Sequence, residues 1–351
     1  MVNLNNKLRK EKREILSKPV EHIDITSFDS TSIIDAYRKM SFTARDTAKA
    51  TDIYCKMLEN PECTIFLTLT GSTSAAGCMK IYSDLIENSM IDVVVATGAS
   101  IVDMDFFEAL GFRHYQGISN VNDKKLRNLY IDRIYNTFID EEELQDCDRT
   151  IKKIADNLEP RPYSSREFIK EMGNYLIENS KKKDSLVETA YKNNVPVFCP
   201  AFSDSSAGFG LVVNQKEKKK NFSKYLTIDS VADFRELTDI KIKSKTTGLF
   251  MIGGGVPKNF AQDTVICAEI LGRDVPMHKY AVQITVADAR DGACSSSTLR
   301  EAQSWGKVDV SFEQMVYAEA TSILPLIVSY AYHKKNWKIK RKKRELNKMF
   351  K

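Results

Sequence analysis

CTIFLTLTGSTSAAG (63–77) opens with seven apolar and β-branched residues and runs directly into Thr, Gly and Ser. A strand with one wet face alternates polar and apolar residues; this one does not, so both of its faces are buried. The same design returns in MIDVVVATGAS (90–100), VPVFCPAFSD (195–204), GLFMIGGGVP (248–257) and YAVQITVADARDG (280–292). Helical stretches lie between them at 76–88, 165–193 and 259–272. Two-faced strands alternating with helices specify an α/β fold, a mostly parallel sheet with helices on both faces. Ahead of it, residues 1–60 read as a helical N-terminal arm whose amphipathic stretch, 44–57, closes at Asn60-Pro61. Residues 61–332 form one main domain, and the acid-rich segment 118–170 is the expected insertion in it.

Ligands of such sheets bind at the carboxyl ends of the strands. That rule puts Thr70-Gly71-Ser72, Thr97-Gly98-Ala99, Ser203-Asp204, Gly253-Gly254-Gly255 and Asp291-Gly292 along one rim. The triple glycine lets backbone approach a phosphate without Cβ interference, and a helix beginning near Asn259 would offer it free N–H groups. It is not a G-x-G-x-x-G fingerprint, and triple glycines also make tight strand exits. Asp204 and Glu319 are carboxylates that could bind ribose hydroxyls or cap helices.

The chain has 351 residues, 42% of them hydrophobic, enough for a substantial core. It contains no run of about 18 apolar residues. The charged start, MVNLNNKLRKEKREILSK, has no apolar stretch behind it, so the reading is a cytoplasmic protein without a membrane contact. Seven scattered cysteines without zinc spacing read as reduced thiols, and no metal site is expected. The net charge of +5 is local. Residues 331–351 carry ten Lys/Arg against Glu345, leaving 42 basic against 46 acidic residues elsewhere. This basic C-terminal tail, 333–351, reads as a solvated helical extension or as a contact for nucleic acid or another acidic partner. The acidic residues 140–143 read as a solvated helix start or as a recruiter of amines, and PRPYSSREF (160–168) as a serine-capped helix start.

Lys307, in EAQSWGKVDV (301–310), is either an ordinary solvated amine or a nucleophile kept dry by Trp305. EAQSWGKV (301–308), MIGGGVPKNF (251–260), FCPAFSDSSAGFG (198–210) and VYAEATSILPLIV (316–328) together resemble the deoxyhypusine synthase family over about residues 41–332. The resemblance implies a Rossmann-like fold, NAD as cofactor and a homotetramer with interface active sites. It also implies aminobutyl transfer from spermidine through an imine on Lys307. It assigns Trp305 to packing on the polyamine and excluding water, and Glu301 and Asp291 to its ammonium groups or the nicotinamide end. Thr70, Gly71, Ser72, Thr97, Gly98, Asp204, Gly253, Gly254, Gly255, Glu319 and Ala320 fall in its NAD-contacting regions, with Glu319 in place of the usual aspartate.

Three departures bear on the substrate. Asn259 stands where the family carries a histidine that handles a proton, and it cannot titrate near neutral pH. Phe209 and Cys294 replace two acids that hold spermidine's ammonium groups, a loss of several kcal/mol for a tricationic ligand. With IDRIYNTFIDEEEL (131–144), the pattern is similar to the bacterial deoxyhypusine synthase-like branch, implying a small amine acceptor and a homospermidine synthase-like activity. The alternatives are deoxyhypusine synthase proper, acting on a translation-factor lysine, and a catalytically weak NAD-binding subunit or interaction protein.

Overall fold

The computed structural model describes residues 4–350. Its strands are β1 Cys63–Leu69, β2 Val93–Ala96, β3 His114–Gln116, β4 Ile131–Ile134, β5 Thr137–Asp140, β6 Pro162–Tyr163, β7 Val197–Phe198, β8 Thr227–Ile228, β9 Thr246–Ile252, β10 Tyr280–Thr285 and β11 Glu313–Tyr317. Six form one parallel sheet in the order β11-β10-β9-β1-β2-β7. Counted along the chain this is the order 3-2-1-4-5-6 of dinucleotide-binding sheets, and the direction of winding reverses between β1 and β9.

All seven residues of β1 are buried. Ile65, Leu67 and Leu69 join one hydrophobic core, under the helices Phe42–Glu59, Met79–Glu87 and Ala320–Lys334. Phe66 points into a second core with Leu237, Ile240, Ala261 and Ala302, from the helices on the opposite face. The absence of polar alternation in CTIFLTL is therefore the imprint of two cores sharing one strand.

Several local expectations need correction. Residues 1–60 hold the helices Asn6–Ile15, Thr31–Tyr37 and Phe42–Glu59 with a non-helical stretch at 16–30, and the last helix packs on the sheet, where Tyr54 stacks on Phe250 of β9, ring centroids 4.4 Å apart. The stretch 165–193 is two helices, Ser165–Asn179 and Leu186–Asn193, because Ser185 caps the second. Ser164 does cap the first, in a capping box with Glu167. The edge strand β11 had no apolar run to announce it. Within 118–170, β4 and β5 form a hairpin that pairs with β3 in a small antiparallel sheet. The acids that follow are not free, since Asp140 caps the helix Glu141–Asp156 and buried Lys12 reaches Asp140 at 2.6 Å and Glu142 at 3.1 Å.

The basic tail is not a solvated helix either. Trp337 is 1% exposed, and Arg341 donates to Asp92 Oδ2 at 2.5 Å, to Ser89 O at 2.5 Å and to Cys63 O at 3.1 Å. Asn347 bonds Asn194 O and Val195 O. These partners lie at the amino ends of β1, β2 and β7, so the tail closes the bottom of the sheet, away from the ligand rim. Removing one member of a buried ion pair leaves an uncompensated charge. Arg341→Ala is therefore expected to lower unfolding free energy by about 3–5 kcal/mol, read by denaturant titration; a loss below about 1 kcal/mol would show the clamp to be dispensable.

Candidate active site

The motif around Lys307 is a short helix with both ends finished. Thr298 and Glu301 form a capping box at the start of Leu299–Ser304. At its end Trp305 is the C-cap and Gly306 takes φ +71°; Gly306 N bonds Gln303 O and Lys307 N bonds Ala302 O, at 2.9 and 3.0 Å. That is a Schellman turn, which requires glycine at this position and fixes the direction in which Lys307 leaves the helix. His278 then holds the segment after the lysine in an isolated bridge to Val308: its N–H bonds Lys307 O at 3.0 Å, and its O accepts from Asp309 N at 2.9 Å.

The Lys307 side chain is only 12% exposed. Its Nζ lies 2.5 Å from Asp263 Oδ1 and 3.3 Å from Asn259 Oδ1, while Asn259 Nδ2 donates to Asp263 Oδ2 at 2.7 Å. These groups line a cavity of about 570 Å³ with Glu301, Cys294, Trp305, Phe234, Ile266 and Ile270 among its walls. Asp263 escaped the sequence reading, although its spacing of four from Asn259, one helical turn, is the signal that pairs them.

Expected residues fall differently around this cavity. Trp305 stands at its mouth, 64% exposed, with Lys307 Nζ 5.1 Å from its ring centroid. Within one chain the tryptophan does not seal the lysine from water; neighbouring walls recess it. Asp291 turns its carboxylate into its own loop, accepting from Ala293 N at 2.7 Å and from the Ser296 hydroxyl. Phe209 is 65% exposed on the helix Ser206–Lys220 and does not line the cavity. Glu301 does line it, with one carboxylate oxygen held by the helix cap.

At the reversal between β1 and β9, two further cavities of about 370 and 440 Å³ share Thr70, Gly71, Ser72, Gly254 and Ser295. Between them they gather Thr97, Gly98, Asp204, Gly253, Gly255, Glu319 and Ala320, so the expected NAD contacts other than Asp291 lie along one cleft. Among the described residues, no Lys or Arg lines this cleft. An anionic diphosphate there would rest on backbone N–H groups and hydroxyls, with the start of the helix Gly255–Gln262 facing it. Gly255 takes φ +66°, which favours glycine, and an added Cβ there would meet nothing closer than Ser295 Oγ at 3.8 Å, leaving room for such a ligand. Gly254 has a different reason to be glycine: a Cβ there would stand 2.4 Å from Ser295 Cα.

Ser295 belongs to the loop that separates cleft from cavity. Fully buried Lys258 donates to Ser297 O at 2.5 Å, Ser297 Oγ at 3.1 Å and Cys294 O at 3.2 Å, and Gln283 Nε2 donates to Ser295 O at 3.1 Å. Burial brings the Lys258 amine down to about 8, with the nearby Lys307 acting in the same direction. Ser295 faces the cleft while Cys294 and Ser297 face the cavity, so one loop is the common wall of both.

Residues 32–331 match the family described as deoxyhypusine synthase. The chain belongs to the deoxyhypusine synthase family. It is 66% identical over 339 residues to the deoxyhypusine synthase-like protein of Coxiella burnetii, covering 96% of each chain. It is 65% identical over 341 residues to that of Caulobacter vibrioides, covering 97% of this chain and 93% of the relative. Against the "Probable deoxyhypusine synthase 2" of Methanosarcina mazei it is 40% identical over 324 residues, 92% of each chain. A crystal structure of a candidate deoxyhypusine synthase from Entamoeba histolytica superposes with a TM-score of 0.60 at 21% identity, covering 90% of this chain and 97% of that one, and shares the fold. Membership in the deoxyhypusine synthase family implies a transferase, in a family whose members generally use NAD.

The wall makes a pH-dependent prediction. Lys258 titrates lower in the folded chain than the ordinary lysine value of 10.5, so between about 8 and that value the unfolded chain binds more protons. Its destabilising contribution is full below pH about 8 and fades as pH rises. The unfolding free energy of wild type relative to Lys258→Met should therefore increase from pH 7 to pH 10 in paired denaturant titrations. A difference that stays flat or falls contradicts the burial argument.

Proposed function

We propose that this protein is an NAD-dependent alkyl transferase of polyamine metabolism, carrying an aminobutyl group as an imine on Lys307 and passing it to a small amine. The observation behind this reading is the recessed Lys307 amine in a cavity that shares a wall with the cleft at the sheet reversal. A donor lying across that wall could present one carbon to both. NAD, when bound, supplies acceptance and later return of a hydride. Thr70 to Ser72, Thr97, Gly98, Asp204, Gly254, Gly255, Glu319 and Ala320 would hold it.

The remaining work falls to the chain's own residues. Lys307 is suited to a carrier's role because imine exchange between amines is reversible and requires no activated leaving group. Ile266, Ile270, Phe234 and Trp305 give the cavity apolar sides for an aliphatic chain. Its charges argue against a highly charged ligand: the carboxylates Asp263 and Glu301 face the ammonium groups of Lys307 and, behind the wall, Lys258. With Cys294 in the wall where the family carries an acid, no surplus of carboxylates awaits a trication, which favours a diamine-sized acceptor over spermidine-type recognition. A homotetramer with its sites at subunit interfaces is part of the proposal. Exposed Trp305 and Ile270 at the cavity mouth support it, since a second subunit would supply the water exclusion that one chain lacks.

The test is to incubate the purified protein with NAD and, in separate runs, 1,4-diaminobutane or spermidine as donor, trap with borohydride and locate adducts by mass spectrometry. A butylamine adduct on Lys307, absent in Lys307→Arg, is expected, and 1,4-diaminobutane should discharge it. Discharge only by a protein lysine would replace the small acceptor with deoxyhypusine synthase activity. No adduct from any polyamine, despite measurable NAD binding, would overturn the transferase reading.

A further inference from the structure

We infer that Asp263 is the acid–base partner of Lys307, the carboxylate that takes the lysine's protons during amine exchange and delivers them to the departing nitrogen. This rests on the reading of Lys307 as the imine-forming group. Geometry carries it first: Asp263 Oδ1 is 2.5 Å from Lys307 Nζ, and its other oxygen is fixed at 2.7 Å by Asn259 Nδ2. One oxygen is tethered while the other faces the reacting nitrogen.

The placement of Asp263 supports the same conclusion. It sits at the joint between the helices Gly255–Gln262 and Thr264–Ile270 with helical φ −70° and ψ −9°, so its backbone continues the helix and its side chain makes no cap bond to the next turn. Its carboxylate is turned away from the helix and toward the lysine. The other charged groups near Lys307 are engaged differently: Lys258 by the carbonyls and hydroxyl of the wall, and Glu301 by the cap of its own helix. Asn259, in the position where the family carries its histidine, holds no titratable proton. Asp263 therefore supplies, one helical turn away, the proton traffic that Asn259 cannot.

The exchange balances as follows. Asp263 takes one proton from the Lys307 ammonium, and the freed lone pair bonds to the imine carbon of the substrate. The C=N π pair moves to the substrate nitrogen, which receives that proton from Asp263. A second proton makes the same passage from Nζ to the substrate nitrogen. The substrate C–N bond then breaks with its pair on the departing amine, and the Nζ lone pair closes a protonated imine. Two protons are relocated, and no oxidant or reductant is consumed.

Because the step itself involves no hydride transfer, it can be tested without NAD. Lys307 is loaded with butanal as an imine, and its exchange onto 1,4-diaminobutane is followed by borohydride quenching and mass spectrometry across a pH series. Asp263→Asn is expected to slow exchange by about 10²–10⁴-fold, the usual worth of a positioned acid–base group, and to flatten the pH profile. The amount of butanal adduct at equilibrium should stay within a few-fold of wild type. Asp263→Glu, which restores a carboxylate on a longer arm, should recover part of the rate. Exchange in Asp263→Asn as fast as wild type, or faster, overturns the inference and leaves Asp263 a counter-ion. Slowed exchange in Asp263→Asn combined with no polyamine adduct on the wild type in the presence of NAD would overturn the proposed function and leave the role of Asp263 standing. Failure of butanal to label Lys307 at all overturns both.

Discussion

A buried ammonium held by neutral oxygens, Lys258, fixes the wall on which the site depends. Its partners are two carbonyls and a hydroxyl of the 294–297 loop, and burial has lowered its affinity for a proton. Taking such a group out of water is costly unless its donors are satisfied. The loop therefore cannot drift from the lysine without exposing that cost. The close approach of Gly254 to Ser295 acts from the other side, because a side chain at position 254 would wedge the loop outward. Cofactor cleft and lysine cavity keep their separation through this pair of restraints.

The stretch EAQSWGK (301–307) is cap chemistry surrounding one reactive amine. Glu301 closes the start of a helix less than two turns long, Gly306 closes its end, and Trp305 sits at the C-cap between helix and lysine. A helix this short would fray in isolation, and both caps act to prevent it. The precision of Lys307 is thus built from backbone hydrogen bonds, leaving its side chain free to meet Asn259 and Asp263.

Much of this was legible in the chain. Continuous apolar strands give parallel pairing directly, and their terminal glycines and hydroxyls mark the rim. The Lys307 motif and its neighbours are recognisable as ordered blocks. Other features depend on facts that no local pattern carries. The edge strand β11 is short and partly exposed, so its residues lack the two-faced signature. Asp263 looks like any helix-start aspartate until the fold carries Lys307 to it across 44 positions. Asp291 looks like a ligand-binding acid, but its geometry satisfies its own loop first. Net charge misled most at the tail, because counting charges does not reveal that Arg341 has a buried carboxylate to meet.

That last contact has a temporal side. Asp92 precedes β2 near the middle of the sheet and is neutralised by an arginine 249 positions later. During synthesis from the N-terminus, the strands β1 and β2 are made long before Arg341 exists, so the carboxylate between them must remain hydrated. The lower edge of the sheet is consequently the last part of the molecule that can dry. A nascent chain already carrying every residue of the ligand rim would still hold an unfinished core, and a quality-control protease could recognise it by that wet seam.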